Sequence, residues 1–449
     1  MEVTTIPKWK TALRSFKIAN NPIPFLDEVL TERETGIIYL GGLYKMVVTK
    51  DPGFVQHILQ KNHKNYQKSE VQFERISHFL GKGLLSSEGN YWLRQRRLIQ
   101  PGFHKARLEA ILGSMTSLID QNILKLKEEV IANPVVNINH SMMEITFRII
   151  ANAIFSRGFE KNELNELSEA ITTLQLFIIK QIRQPYLNLI QEWSGQVKKH
   201  EAVRDQLNQN VLKYIDERRN SGDTYDDLLQ MLLDARYEDT GEGMTDQQLI
   251  DETNILFVAG HETSANAMAW TLYLLAKHPK VVTRIREELS TSVKGTHPTF
   301  EELMRLQYTE CVLNESMRLF PPAWITNRVA IEDDEYNGFK IDKGTVFAAY
   351  IYGVHHSNHL WEDPYDFQPE RFLKSNKKER HPFAFAPFGG GPRLCIGYQF
   401  AMMEMKVMLL KLVEQFDFEL VPGQDIEPKP LITLRPKEDI MLRFRSLGV

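Results

Sequence analysis

Two cysteines, Cys311 and Cys395, are all the thiols in 449 residues. They can make at most one disulfide, so a stapled secreted scaffold is excluded, a reducing compartment is expected, and each thiol is considered singly. Long apolar runs are scarce too. Glu2, Lys8, Lys10, Arg14, Lys17, Asp27 and Glu28 break up the start of the chain, leaving no place there for a signal peptide or a membrane anchor of ~20 residues. The one extended uncharged run, Gly344 to Trp361, contains Tyr350, His355, His356, Ser357 and Asn358 and suits a buried strand plus loop better than a span. Nor is there a basic excess: Lys+Arg 54 against Asp+Glu 58 gives a formal net charge of −4, which sets aside nucleic acid as a partner of the whole molecule. Glycine (25) and proline (20) are at ordinary levels, and no repeat or low-complexity tract is visible, so collagen-like and disordered chains are excluded. A globular, cytoplasmic protein without a membrane anchor is expected.

At ~150 residues per domain the length allows two or three domains or one large fold. Gly36 to Thr49 is rich in β-branched and aromatic residues and predicts two strands turning at Gly41-Gly42, within a small β-rich region at about 35–50. From about 51 to 321 the pattern is helical, as in Leu108, Ile111, Leu112, Met115, Leu118 and Ile119. Thr245 and Gln248 stand at capping-box spacing before an unusually long helix over Leu249 to Ala276, and Pro279 and Pro298 mark later boundaries. The remainder, about 322–449, reads as strands at Phe339 to Ile341 and Val346 to Tyr352, and a Pro-rich stretch from Asp363 to Pro392. A last helix follows Cys395, with Ala401, Met405, Met408, Leu409 and Leu412 on one face, then strands at Leu431 to Leu434 and Ile440 to Phe444. No flexible linker separates these parts. The fold class is mainly α (α+β), as a single unit over 1–449.

The most informative stretch is Phe388-Gly389-Gly390-Gly391-Pro392-Arg393-Leu394-Cys395-Ile396-Gly397. A thiolate placed at the start of a helix behind glycines gains from backbone N–H groups, which depress its pKa and suit it to a metal. Taken alone, a cysteine is more often a small buried hydrophobe. The ten residues, however, match Phe-x-x-Gly-x-Arg-x-Cys-x-Gly and resemble the heme-thiolate loop of the cytochrome P-450 family. The resemblance implies heme b with Cys395 as proximal iron ligand, Phe388 covering the sulfur, Arg393 pairing with a heme propionate, and Gly389 and Gly397 among the cofactor-binding residues. It also implies a helical bundle around a buried heme, with small β-sheets. A thiolate ligand pushes electron density to iron and favours O–O cleavage.

Three further features fall in family order. Glu315 and Arg318, at i,i+3, would alone be a weak surface pair. With Arg371 in Pro369-Glu370-Arg371-Phe372 they resemble the family's structural Glu-Arg-Arg network. Ala259-Gly260-His261-Glu262-Thr263 resembles the oxygen-side helix: Ala259 and Gly260 leave room for dioxygen, Thr263 delivers protons with Glu262 as the adjacent acid, and His261 is structural. The other reading of this stretch is a Gly and a Thr tolerated in a buried helix, beside a solvated Glu262. Trp92 and Arg96 match the family's Trp-x-x-x-Arg helix, and Arg328 occupies the place of another arginine; these would neutralise the propionates, since buried carboxylates need cations. Arg94, Arg96, Arg97, Lys105 and Arg107, with Lys406 and Lys411, suggest either a positive patch for an acidic electron carrier or a solvated basic face. Cys311 packs in its helix.

Family position assigns the substrate pocket to Phe73, Ile76, Phe79, Leu80, Leu85, Leu174, Phe177, Ile178, Val258, Ala259, Ala323, Trp324, Ile325, Leu431 and Ile432. Most are apolar. Glu70, Gln72, Arg75, His78, Arg183 and Gln184 could instead grip a polar group, or be solvated. The resemblance implies a monomeric monooxygenase that inserts one oxygen atom from O2 into a C–H bond of a small organic substrate. Its electrons would come from NAD(P)H through a separate ferredoxin or flavodoxin and its reductase. Hydroxylation of a fatty acid or terpenoid is the leading expectation. Oxidative O-demethylation of a methoxylated sugar or aromatic, a non-catalytic heme sensor and a peroxide-driven enzyme are the alternatives, since fold does not fix substrate.

Overall fold

The computed structural model describes residues 2–40, 44–156, 159, 161–184, 187–376 and 379–447. The chain divides into two compact units, one of Met1–Glu70, Cys311–Cys395 and Glu427–Lys437, the other of Val71–Glu310, Ile396–Ile426 and Glu438–Val449.

The first unit is organised by a six-stranded sheet in the order Thr4–Thr5, Thr35–Leu40, Tyr44–Thr49, Val346–Ala349, Thr326–Ala330, Tyr66–Gln67. Because side chains alternate along a strand, Val47 and Phe347 turn to one face, among Phe54, Val55, Ile58 and Tyr66. Val48 and Ala348 turn to the other, among Phe25, Leu26, Trp324 and Tyr350. Burial on both faces explains the uncharged run from Gly344. The strand in that run ends at Ala349 and a short helix, Ile351–His355, follows, so the expected strand to Tyr352 is three residues too long. The expected turn at Gly41-Gly42 lies outside the described residues, although the two strands beside it pair antiparallel as anticipated. Asp334–Tyr336 and Phe339–Ile341 form a hairpin whose Asn337 and Gly338 both have positive φ, 47° and 78°, as a two-residue Asn-Gly turn requires. The strand expected over Leu431 to Leu434 is instead the tip of a hairpin between Pro428–Pro430 and Leu434–Pro436.

The second unit is helical, with one three-stranded sheet of Phe416–Leu420, Met441–Ser446 and Val135–Asn137. Its axis is the helix Asp246–Lys277. Thr245 Oγ1 accepts from Gln248 N at 3.3 Å and Gln248 Oε1 accepts from Thr245 N at 2.9 Å, closing the anticipated capping box. The next helix begins at Pro279, directly after the cap residue His278. A 32-residue helix with so many buried positions is hydrophobic around most of its circumference, as a central helix must be. Gly260 is required by packing: a Cβ there would meet Ile150 of the helix Ile138–Phe155 at 2.8 Å. The structure thus gives this glycine a cause other than room for dioxygen. The last helix, Tyr398–Gln415, is buried from Met402 to Val413 on every side, rather than along one stripe. Among the described residues, no helix is long and apolar enough to cross a membrane.

Candidate active site

In the first unit the Cys395 loop is built from backbone constraints. The Cys395 N–H donates to Phe388 O at 3.0 Å and Leu394 N–H to Gly391 O at 3.1 Å, so Gly391–Arg393 forms a tight turn. Gly389 and Gly391 sit at φ 74° and 66°, where a side chain is strained. A Cβ on Gly391 would also collide with the main chain of Leu59, and one on Gly390 with the Phe383 ring. Phe388 and Arg393 are half-buried and Cys395 is exposed, unusual for a cysteine outside a disulfide. Cys395 precedes the first residue of the helix Tyr398–Gln415 by three positions, with Gly397 as N-cap. It is therefore outside the first turn, and the expected benefit from the helix N-terminus, which fades within that turn, is small. Cys311 is buried in the helix Gln307–Leu319, as expected.

The loop is held from behind by the Glu-Arg-Arg network. Arg318 donates to Glu315 through Nε (2.7 Å) and Nη2 (2.8 Å), and to the carbonyls of His355 (2.8 Å), Pro364 (2.6 Å) and Asp366 (3.1 Å). Both side chains are fully buried. Arg371 Nε reaches Glu315 Oε1 at 3.2 Å, and Gln368 N donates to the same oxygen at 2.9 Å. Sequence reading missed the next link, His355. Its Nε2 accepts from Ala386 N at 3.0 Å, which ties the network to the segment entering the Cys395 loop. Burial, with the positive Arg318 nearby, holds His355 well below the ordinary histidine range. It stays neutral, as an acceptor at Nε2 must. No local signal marks this role, because the partner lies 31 residues away.

In the second unit Thr263 Oγ1 donates back to Ala259 O at 2.7 Å, the usual habit of a mid-helix threonine. Ala259 is exposed, Gly260 and Thr263 are half-buried, and Glu262 and His261 are buried. Glu262 is thus not the solvated carboxylate of the alternative reading. His261 Nδ1 lies 3.2 Å from Phe257 O, in keeping with a structural part. Two carboxyls escaped the sequence reading. Glu404 of the last helix is fully buried against Ser264, and burial pushes it up to about 8. Glu252 Oε2 accepts from Leu84 N at 2.9 Å and is also pushed up to about 8 by burial. Beside it, Asp251 Oδ2 accepts from Lys82 N at 2.8 Å. These bonds fasten residues 81–85, including the exposed Leu85, to the long helix.

Trp92 and Arg96 are half-buried one turn apart on the helix Gly89–Ile99. Arg328 is half-buried in the sheet of the first unit and donates to Thr326 Oγ1 (3.1 Å) and Asn327 O (2.7 Å). Two members of the expected basic patch are corrected. Lys406 is buried, bonded to Glu310 (2.7 Å) and Leu303 O (3.0 Å), and Lys411 is buried against Thr296 O and Asp120, so neither faces a partner. Arg94 pairs with Asp239 and Arg107 with Asp226. Among the pocket residues of the second unit, Leu174, Phe177, Ile178, Phe79, Leu80, Ile76 and Val258 are buried. Phe79 meets Phe177 edge-on at 5.4 Å, and Phe177 stacks on His200 at 3.7 Å. Phe73 is half-buried. In the first unit Trp324 is buried and its Nε1 donates to Leu431 O at 3.1 Å. Ile325, Leu431 and Ile432 are half-buried and Ala323 is exposed. The side chains of Glu70 and Gln72 lie outside the described residues.

The buried titratable groups predict a pH profile. His355 and His356, the latter held down to about 3 by burial, bind protons less readily folded than unfolded. Stability therefore falls as pH drops below the unfolded value of 6.5. Glu252 and Glu404 act oppositely: neutral when folded, they contribute fully below 4.5 and lose that contribution as pH rises through about 8. Between 4.5 and 6.5 the contributions of these four groups oppose one another. The thermal midpoint is expected to plateau there and to fall on both sides, by ~1 kcal/mol of stability per pH unit for each group. Calorimetry across pH 4 to 9 checks this; a midpoint that rises from 6.5 to 8 would contradict it.

A single thiol as donor cannot hold a bare metal ion. Among the described residues no three His, Cys, Asp or Glu gather as a metal cluster, so Cys395 suits a metal whose other ligands arrive with it. In the first unit half-buried Arg393 and Arg328 suit carboxylates on such a group. The donor set fits heme. The family described as cytochrome P-450 matches residues 34–444. A Mycobacterium bovis chain carrying the name cytochrome P-450 132 is 33% identical over 413 residues, covering 88% of this chain and 87% of its own length. The cyclooctat-9-en-7-ol 5-monooxygenase of Streptomyces melanosporofaciens is 31% identical over 372 residues, covering 83% of this chain and 80% of its own length. The crystal structure of the cytochrome P-450DA heme domain superposes with a TM-score of 0.90 at 25% identity, over 100% of this chain and 98% of that one.

Proposed function

We propose, from the premise that this chain belongs to the cytochrome P-450 family and is a heme-thiolate monooxygenase, that it hydroxylates a small apolar compound of the terpenoid or fatty-acid class. Electrons would reach it from NAD(P)H through a separate ferredoxin or flavodoxin and its reductase. On the same premise residues 1–449 act as one catalytic domain. The observation that carries the reading is the thiol of Cys395, exposed on a backbone-locked turn. The terpenoid preference rests on the relative named for a cyclooctatenol and on the apolar character of the assigned pocket.

Bound heme supplies the activation of dioxygen by a thiolate-ligated iron. The chain's residues do the rest. Cys395 would be the thiolate donor to the iron, and the bond from Cys395 N to Phe388 O fixes the main chain that carries it. By family position Trp92, Arg96, Arg328 and Arg393 would hold the propionates, since planar guanidinium groups match carboxylate geometry. Thr263 keeps its hydroxyl proton on Ala259 O at rest. Rotation of that hydroxyl would free it as a proton donor, and Glu262, one residue away, would be the acid that restores the proton.

Thr263→Ala is expected to keep heme and substrate binding but to divert about ten times more reducing equivalents to peroxide, measured as NAD(P)H consumed per product formed. Unchanged coupling would remove Thr263 from the proton path. The substrate class is tested by a spin-shift screen of terpenoids, fatty acids and methoxylated aromatics and sugars. Product formed only with added peroxide, and none with a ferredoxin system, would replace the monooxygenase reading with a peroxide-driven one. Formaldehyde release would indicate O-demethylation.

A further inference from the structure

The most exposed apolar side chains near the start of the chain share one face. Trp9, Leu13 and Phe16 are 62%, 79% and 79% exposed, on the consecutive helices Lys8–Leu13 and Ser15–Asn20. The helical ladder continues through the joint, with Arg14 N–H donating to Lys10 O and Ile18 N–H to Arg14 O. At ~100° per residue, positions 9, 13 and 16 lie on one side. Thr11, Ser15 and Ile18 lie on the other. Thr11 is buried, Ser15 Oγ donates to Thr11 O, and Ile18 packs against the cluster containing Phe25, Leu26 and Trp324. The inner face is thus anchored, and the outward one is presented to solvent.

Charge completes the pattern. No Asp or Glu occurs from Val3 to Leu26, and Arg14 is taken up by Glu28 at 2.6 Å. Lys8, Lys10 and Lys17 are exposed and flank the apolar face on its two sides, about a quarter turn away. An apolar strip edged by lysines matches the boundary between acyl chains and anionic headgroups. An acidic protein would not require the exposed Trp, Leu and Phe, and a second copy would bring lysines against lysines.

We propose that Lys8–Asn20 docks this protein peripherally on an anionic lipid surface, with Trp9, Leu13 and Phe16 in the headgroup boundary and Lys8, Lys10 and Lys17 on the lipid phosphates. No spanning helix is involved, and the inference is independent of the catalytic reading.

Flotation of the full chain with phosphatidylcholine vesicles, with and without phosphatidylglycerol, tests it. Binding is expected only with phosphatidylglycerol, and to weaken in high salt. The triple variant Trp9→Ser, Leu13→Ser, Phe16→Ser should bind at least about tenfold more weakly. Each of Lys8→Gln, Lys10→Gln and Lys17→Gln, surface changes that spare the fold, should cut binding about fivefold. Trp193→Ser, at a 91% exposed position on a different helix, should change nothing. The proposal is overturned by absence of binding, equal binding to neutral vesicles, full binding by the lysine variants, or loss through Trp193→Ser alone. Lipid-free self-association that the triple variant abolishes would assign the face to a second copy instead.

Discussion

Cys395→Ala is expected to abolish the long-wavelength Soret band that thiolate ligation would give the reduced, carbon-monoxide-bound protein. The loss should be complete. The only other thiol, Cys311, is buried in the helix Gln307–Leu319 and cannot substitute without unfolding that helix. Cys311→Ser therefore serves as the control and should leave the band intact. The Cys395 variant should still fold, because the loop is closed by backbone bonds, Cys395 N to Phe388 O and Leu394 N to Gly391 O, that alanine can make. Circular dichroism and the carbon monoxide difference spectrum, recorded on the same sample, separate ligation from folding. A normal band in the variant would assign the iron to another ligand.

Glu315→Ala is expected to be the most damaging single change to stability, at ~3–5 kcal/mol. It strands Arg318, a fully buried guanidinium, and removes the acceptor shared by Arg371 and Gln368 N. The three carbonyls around Arg318 continue to solvate it but cannot neutralise it. Glu315→Gln should fall between, keeping an acceptor oxygen but losing the charge. The effect should reach the thiol loop as well, since Arg318 holds the His355 carbonyl and the His355 ring holds Ala386. Urea titration gives the stability difference, and heme retention reports on the loop. A destabilisation below ~1 kcal/mol would mean that the network is no stronger than a surface pair.

Much of this was legible in the sequence wherever the cause is local. The Thr245–Gln248 box is a four-residue signal and appears as read. The Glu315–Arg318 pair is one helical turn, and the loop around Cys395 is continuous. What sequence periodicity could not show depends on distant partners. Lys406 looks like a surface cation until Glu310 and Leu303 O are found beside it. His355 looks like part of a strand or loop until Ala386 N–H points at it. Glu404 sits among apolar residues of a helix with no hint that Ser264 faces it. The boundaries misplaced near Tyr352 and Leu431 fall where apolar runs continue through a turn, so hydrophobicity alone carries no stop signal.

Gly391 bears on how such a chain can drift through sequence space. Its left-handed φ and the Leu59 main chain against it oppose even the smallest substitution in two unrelated ways, so no neighbouring change relieves both at once. Exposed Pro392 and Leu394, one and three residues after it, carry neither constraint. Variation in the thiol loop must therefore pass around Gly391 rather than through it, leaving a fixed point in the chain whose position is set by packing and whose effect is felt in chemistry.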